Sequence, residues 1–257
     1  MRGHALVGYG RFLQVLEIEG ELLAEAANSA SPDAPVPGCP GFTVATTVRH
    51  VGSVSRMVLE WLRGRGRPRT WQRDPVPGQT EVGFLRSALA ELRAELAAHR
   101  PDERAATWWP ADPTYGFWRR RMAHETTVHR VDVQTAATAP RRSLPGITED
   151  IAVDGIDEVL TLWFGQRLPM LGLSADVDTS VAVRSGGHTW LVSAGPGETV
   201  AWRCSAREAE NADAVLSAPP VQMYLWLWGR RSLGEVTPDG DAEATARFWA
   251  LLRLATR

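Results

Sequence analysis

The chain has 257 residues, of which 44% are hydrophobic, and its formal net charge at neutral pH is −2. This composition excludes a disordered chain, and the nearly balanced charge gives no reason to expect a nucleic-acid or membrane-surface partner. Apart from the histidines, every basic residue is arginine, so Schiff-base chemistry on a lysine side chain is excluded too.

The first half of the sequence predicts four helices. Apolar residues recur at helical spacing over residues 5–28, 43–63, 79–99 and 115–136, with proline- and glycine-rich loops between these segments. Thr43 is the expected N-cap of the second helix. Helices of this length joined by loops predict a four-helix bundle, and the core of such a bundle is a common place for metal ligands from facing helices.

The pattern changes after residues 137–146, which predict a linker. The elements predicted beyond it are a helix over 147–166, strands over 179–184, 189–194, 198–204 and 214–216, and helices over 221–228 and 241–255. We therefore expect two domains: a four-helix metal-binding domain over residues 1–140 and a smaller α+β domain over residues 147–257.

Cysteine usage and the N-terminus predict a cytoplasmic protein. Cys39 and Cys204 lie far apart and form no CxxC pair, which favours a reducing compartment. Cys39 follows a proline–glycine pair and is either a reactive thiol or a small buried loop residue. No signal peptide is recognised, and no apolar run approaches the roughly 18 residues that a membrane span requires.

One segment of the fourth helix has the pattern of a metal site. Glu125 and His129 are four residues apart, so a helix places both side chains on one face. His50, on the second predicted helix, is a candidate third ligand, and a His₂Glu set leaves the open coordination position that a catalytic metal needs. Asp132 then either accepts a hydrogen bond from the imidazole of His129 or pairs with an arginine such as Arg130.

Less specific interpretations apply to the same residues. His50 can be a hydrogen-bonded structural histidine, and Glu125 with His129 can be an exposed ion pair along the helix. The apolar neighbours Trp118 and Met122 argue against simple exposure of that face, and a buried glutamate needs either a metal or an arginine as its partner. The 11 tryptophans suit either a ligand cavity or core packing.

Four segments resemble one known family, the mycothiol-dependent maleylpyruvate isomerase-like proteins of the DinB/YfiT-like metal-binding superfamily. They are Pro37–Val44, in which Phe42 replaces the family's usual tryptophan, Val48–Gly52, Arg121–Asp132 and Leu225–Arg231. The resemblance implies a DinB-like four-helix domain followed by a sterol-carrier-like α+β domain. It also implies a divalent metal, zinc before nickel or iron, on His50, Glu125 and His129, with mycothiol as cosubstrate and an actinobacterial source.

The function that the resemblance implies is a metal-dependent thiol enzyme, either a mycothiol S-transferase or a mycothiol-assisted isomerase, acting on a small electrophile. Asp132 would orient a ligand. Arg230 would hold substrate carboxylates, unless it only caps its own helix. Two alternatives stay open: a metal-dependent hydrolase or tailoring enzyme that uses no thiol, and a non-catalytic protein that binds a metal or a small ligand. The expected partners are small molecules, with neither nucleic acid nor membrane among them.

Overall fold

The computed structural model describes residues 5–66, 68–137 and 146–256, so the predicted linker over 137–146 lies almost wholly outside the described residues. The chain divides into two compact units. Residues 8–146 belong to the first, and residues 147–257 belong to the second, together with the short segment of residues 5–7. Within the described residues, no helix combines the length and the apolar character needed to cross a bilayer.

The described part of the first unit forms a four-helix bundle. Its helices are α1 (Tyr9–Asn28), α2 (Val44–Glu60), α3 (Glu81–Ala98) and α4 (Tyr115–Ala137). α1 packs against α3 and α4, and α2 packs against the same two helices. α2 continues into a π-helical segment, Trp61–Arg65, which is interrupted at Gly64, where φ is +74°. The bundle prediction is therefore confirmed.

The first helix starts later than the sequence pattern predicts. Gly8 is extended and stands at the N-cap position of α1, so the helix begins at Tyr9 rather than at residue 5. Residues 5–7 instead belong with the second unit, where the backbone N–H of Leu6 donates to Asp154 Oδ1 at 2.6 Å. The spacing of apolar residues alone does not predict the boundary between the two units.

Thr43 fixes the entry into α2, as predicted. Its hydroxyl accepts a hydrogen bond from the backbone N–H of Thr46 at 3.3 Å, and the Thr46 hydroxyl accepts one from the backbone N–H of Thr43 at 2.7 Å. This reciprocal capping box satisfies two backbone donors that the start of a helix leaves free. The start of α2, and with it the register of His50, is thereby defined.

The second unit combines helices with a mixed sheet. Its elements in chain order are α5 (Glu149–Glu158), a π-helical continuation (Val159–Arg167), the single turn α6 (Leu168–Met170), β1 (Thr179–Ser185), β2 (His188–Ala194), β3 (Thr199–Cys204), β4 (Ala214–Ser217), α7 (Pro220–Leu227), a 3₁₀ turn (Leu233–Glu235), β5 (Thr237–Gly240) and α8 (Ala242–Ala255). Among the described residues the sheet has five strands in the order β3-β2-β1-β4-β5. β1 and β4 run parallel, and the other neighbours are antiparallel.

The α+β architecture of this unit confirms the predicted fold class. Hydrophobic side chains of β1 and β2, such as Val181, Val183 and Trp190, are buried. Trp226 stacks on Trp249 with ring centroids 4.6 Å apart. Trp118 in the first unit and Trp190 and Trp226 in the second are at most 1% exposed, so these tryptophans belong to packed cores, as the core-packing interpretation requires.

Candidate metal centre

α2 and α4 bring the three predicted ligands to one point in the first unit. His50 Nε2 lies 3.2 Å from Glu125 Oε1, and His129 Nε2 lies 3.4 Å from the same oxygen. The two imidazole rings are 5.0 Å apart between centroids. One side chain from α2 and two from successive turns of α4 therefore present two nitrogens and one oxygen toward each other.

The second oxygen of Glu125 is held by an arginine. The Arg121 guanidinium, one turn earlier on α4, donates to Glu125 Oε2 at 2.8 Å. Burial raises the pKa of the Glu125 carboxyl, but hydrogen bonds from His129 and His50 and the charge of Arg121 outweigh it, and the pKa lies well below its usual range. The carboxylate is thus kept ionised, with Oε1 directed at the two histidines.

The second ring nitrogen of His129 contacts a buried carboxylate. His129 Nδ1 lies 3.0 Å from Asp132 Oδ2, and Asp132 is 1% exposed. Burial lowers the pKa of His129, but hydrogen bonds with Asp132, Cys39 and Glu125 raise it by more, so the pKa lies well above its ordinary value. Nδ1 faces Asp132, so Nε2, which faces Glu125, is the ring nitrogen directed toward the candidate metal position, and a metal bound there would replace the Nε2 proton.

His50 lies in an aromatic setting beside a small cavity. Its ring meets the edges of Phe42 and Trp71 at centroid distances of 5.6 and 5.5 Å. Its Nδ1 is buried and has no hydrogen-bond partner among the described residues. The cavity has a volume of about 150 Å³ and is lined by Gly41, Phe42, Thr46, Arg49, His50, Ser53 and Gln72. The cavity therefore leaves a small open space next to this histidine.

These side chains fit a divalent metal. One donor atom each from His50, Glu125 and His129 lies within 4.8 Å of the others, a spacing that a single ion can bridge. Two imidazoles and a carboxylate form a donor set that zinc accepts, and three protein ligands leave a position open. Cys39, His129 and Asp132 are grouped equally closely, but that group uses the opposite nitrogen of the same histidine.

The remaining predicted residues lie elsewhere. Arg130 pairs with Glu19 through bonds of 2.5 and 3.1 Å. Arg230 belongs to the second unit, just after α7, where its guanidinium donates to the Trp228 carbonyl at 2.5 Å. This contact is the helix-capping interaction, and a role for Arg230 in substrate binding stays a prediction.

Two contacts at the site were not predicted from the sequence pattern. The Cys39 thiol donates a hydrogen bond to Asp132 Oδ2 at 3.3 Å, a contact that neither sequence interpretation, a reactive thiol or a small buried loop residue, included. Arg121 forms the ion pair with Glu125. The spacing of four residues between Arg121 and Glu125 was a signal for that pair, since such residues face each other on a helix. No local signal links Cys39 to a carboxylate 93 positions away.

The chain matches family models over both units. The mycothiol maleylpyruvate isomerase N-terminal domain matches residues 16–134, and the MDMPI C-terminal domain matches residues 150–247. The chain belongs to the mycothiol maleylpyruvate isomerase family. The sequence-based prediction of this family, and with it of a protein from an enzyme family, is confirmed. Among curated proteins, none matches the chain.

Solved structures of this family share the fold. The crystal structure of the mycothiol-dependent maleylpyruvate isomerase matches with a TM-score of 0.61 and 12% sequence identity, covering 92% of this chain and 95% of that one. A histidine-to-alanine variant of the mycothiol-dependent maleylpyruvate isomerase gives the same values. At this identity the likeness shows a common architecture for nearly the whole chain.

Proposed function

We propose that this family member is a divalent-metal-dependent enzyme that uses mycothiol to act on a small electrophilic substrate. The observation that carries the proposal is the convergence of His50 Nε2 and His129 Nε2 on Glu125 Oε1, at 3.2 and 3.4 Å. A structural ion pair alone would not need two imidazoles from different helices on one carboxylate oxygen. The family relationship supports the thiol as cosubstrate.

His50, Glu125 and His129 would hold the metal. When bound, a metal with an open position lowers the pKa of a thiol ligand, so the thiol is present as the nucleophilic thiolate at neutral pH. Zinc is the ion that this donor set favours, with nickel and iron as alternatives. Asp132 would keep the Nδ1 proton of His129 in place, and Arg121 would keep Glu125 ionised.

The reaction class that we favour is isomerisation. The solved relative is described as a maleylpyruvate isomerase, whose substrate carries a cis double bond next to a carbonyl group. The thiolate adds to that double bond, the resulting single bond rotates, and elimination returns the thiol. Arg230 would hold a substrate carboxylate, because the planar guanidinium fork matches the geometry of a carboxylate. An S-transferase would release the adduct instead.

The number of products formed per thiol consumed separates the alternatives. Zinc-loaded protein is mixed with maleylpyruvate and a substoichiometric amount of mycothiol, and product and free thiol are followed together. Many turnovers per thiol indicate isomerisation, whereas one product per thiol consumed indicates S-transfer. Turnover without mycothiol would point to the hydrolase alternative, and tight binding without turnover would point to a non-catalytic binder.

Matched variants connect the reaction to the site. Glu125→Gln keeps the shape of the side chain but removes its charge, and we expect it to lose activity. His99→Ala is the control, because His99 lies at the end of α3 and pairs with Glu103 at 2.8 Å on the surface. Full activity in Glu125→Gln would contradict the assignment of the site.

A further inference from the structure

One oxygen of a buried carboxylate receives two hydrogen bonds from different parts of the first unit. Asp132 Oδ2 lies 3.0 Å from His129 Nδ1 and accepts the Cys39 thiol at 3.3 Å. Asp132 is 1% exposed, so it has almost no access to bulk water, and the position of this oxygen depends on the protein groups around it.

The loop that carries Cys39 is held in a defined conformation. The backbone N–H of Val36 donates to the Phe42 carbonyl at 2.9 Å, that of Cys39 to the Val36 carbonyl at 3.1 Å, and that of Phe42 to the Cys39 carbonyl at 2.9 Å. The loop then runs directly into the capping box at Thr43, which starts the helix of His50. Cys39 and His50 therefore lie on one continuous, hydrogen-bonded stretch that meets α4 at two points.

We propose that Cys39 is a positioning residue for the metal centre, acting on His129 through Asp132 and through its own contact with the imidazole. Its thiol fixes Asp132 Oδ2 where it receives the Nδ1 proton of His129, and the imidazole is thereby held with Nε2 toward Glu125 and His50. This inference rests on the proposed metal site. A neutral thiol is a weak donor, so its effect comes from the geometry it imposes on the carboxylate more than from its dipole.

A different role for Cys39 would be direct ligation. Cys39, Asp132 and His129 offer donor atoms within 4.8 Å of one another. An ion held there would bind His129 through Nδ1 and remove both protons that Asp132 Oδ2 now accepts. An ion at that position would also not account for the approach of His50 and His129 to the same oxygen of Glu125. The hydrogen-bonded arrangement uses all five groups together, and we therefore favour it.

Metal affinity and spectroscopy test the positioning role. Zinc dissociation constants are measured by competition with a chromogenic chelator for the wild type, Cys39→Ala, Cys39→Ser and Cys204→Ala. We expect Cys39→Ala to weaken zinc binding about tenfold, because partners that orient a ligand typically contribute 10–100-fold. Cys39→Ser keeps a donor and should restore most of this loss. Cys204→Ala, in the second unit, should leave the affinity unchanged.

Three results would overturn the proposal. Unchanged affinity in Cys39→Ala would show that no hydrogen-bond donor is needed at this position, and equal weakening in Cys39→Ser would show that Cys39 does not act as a hydrogen-bond donor. A thiolate-to-cobalt charge-transfer band in the cobalt-loaded wild type without added thiol, lost in Cys39→Ala, would make Cys39 a ligand. Normal d–d spectra without that band support the proposal.

A metal-free measurement separates this inference from the proposed function. Histidine ¹⁵N shifts of the metal-free protein report the hydrogen bond at His129 Nδ1. We expect that signal to move in Cys39→Ala and to return in Cys39→Ser. If the wild type binds no metal, the proposed function fails. The ¹⁵N shifts then still decide the link from Cys39 to His129, and an unmoved signal refutes it.

Discussion

His129 Nδ1 and Asp132 Oδ2 lie 3.0 Å apart on α4, three residues apart in sequence. One helix therefore supplies a candidate metal ligand and the acceptor that sets the tautomer of that ligand. The spacing alone brings these two side chains together, because residues three apart on a helix are neighbours. The contribution of α2 is the second histidine, which approaches Glu125 from the facing helix.

Replacing Asp132 should weaken metal binding. In Asp132→Asn the neutral amide no longer attracts the Nδ1 proton as strongly, so we expect zinc affinity to fall by about tenfold or more. Chelator competition measures the change. Asp74→Asn is the matched control, since Asp74 is exposed and pairs with Arg49 at 2.7 Å. Equal affinities in wild type and Asp132→Asn would show that the contact has no role in metal binding.

A buried ion pair should hold α1 and α4 together. Glu19 accepts two bonds from Arg130, whose side chain is fully buried. Glu19→Gln removes the negative charge that faces a buried guanidinium, and we expect the free energy of unfolding to fall by roughly 3 kcal/mol. Urea denaturation checks this value.

The control for that prediction lies two residues further along α1. Glu21 pairs with Arg86 at 2.8 Å on the surface, where both side chains are about half exposed. Glu21→Gln should change the free energy of unfolding by less than about 1 kcal/mol. Similar losses in the two variants would contradict the special role assigned to the buried pair.

The stability of the second unit should depend on the charge of Asp213. Hydrogen bonds from the backbone N–H and the hydroxyl of Ser180 lower the pKa of the Asp213 carboxyl and link the segment before β4 to β1. A carboxyl whose pKa is lowered in the folded state stabilises that state above the unfolded pKa, about 3.9. This contribution is lost as the pH falls through the folded value.

Thermal unfolding at several pH values tests this dependence. Asp213→Asn should have a lower Tm than the wild type at pH 7, and the difference should shrink as the pH falls below about 4. Asp176→Asn, at an exposed position before β1, is the control. A difference in Tm that stays constant from pH 7 to pH 3 would show that the charge of Asp213 contributes nothing.

The elements that carry the site follow from local patterns. Apolar spacing predicts α2 and α4, Thr43 defines where α2 begins, and four-residue spacing places Glu125 and His129 on one face. The convergence with His50 depends on how two helices pack, which the sequence suggests only through the type of fold and the family resemblance. The side-chain geometry then adds Arg121, which pairs with Glu125 along α4.

Other features have no local signal. Cys39 reaches Asp132 only because the loop before α2 folds back beside α4, and that contact joins residues 93 positions apart. β5 (Thr237–Gly240) is a short strand at the edge of the sheet and contains proline and glycine, so no alternation of apolar residues marks it. Residues 159–167 read as an ordinary helix, since a π-helical segment has the same composition as an α-helix.

A comparison of the metal content of the wild type with that of variants at the predicted ligands tests the central claim most directly. Protein purified without chelators is analysed for zinc, nickel and iron, together with His129→Ala, Glu125→Gln and the control His99→Ala. We expect about one metal ion per chain in the wild type and the control, and none in the other two variants. Circular dichroism confirms that each variant is folded. No metal in the wild type even after reconstitution, or one ion per chain persisting in His129→Ala, would contradict the account.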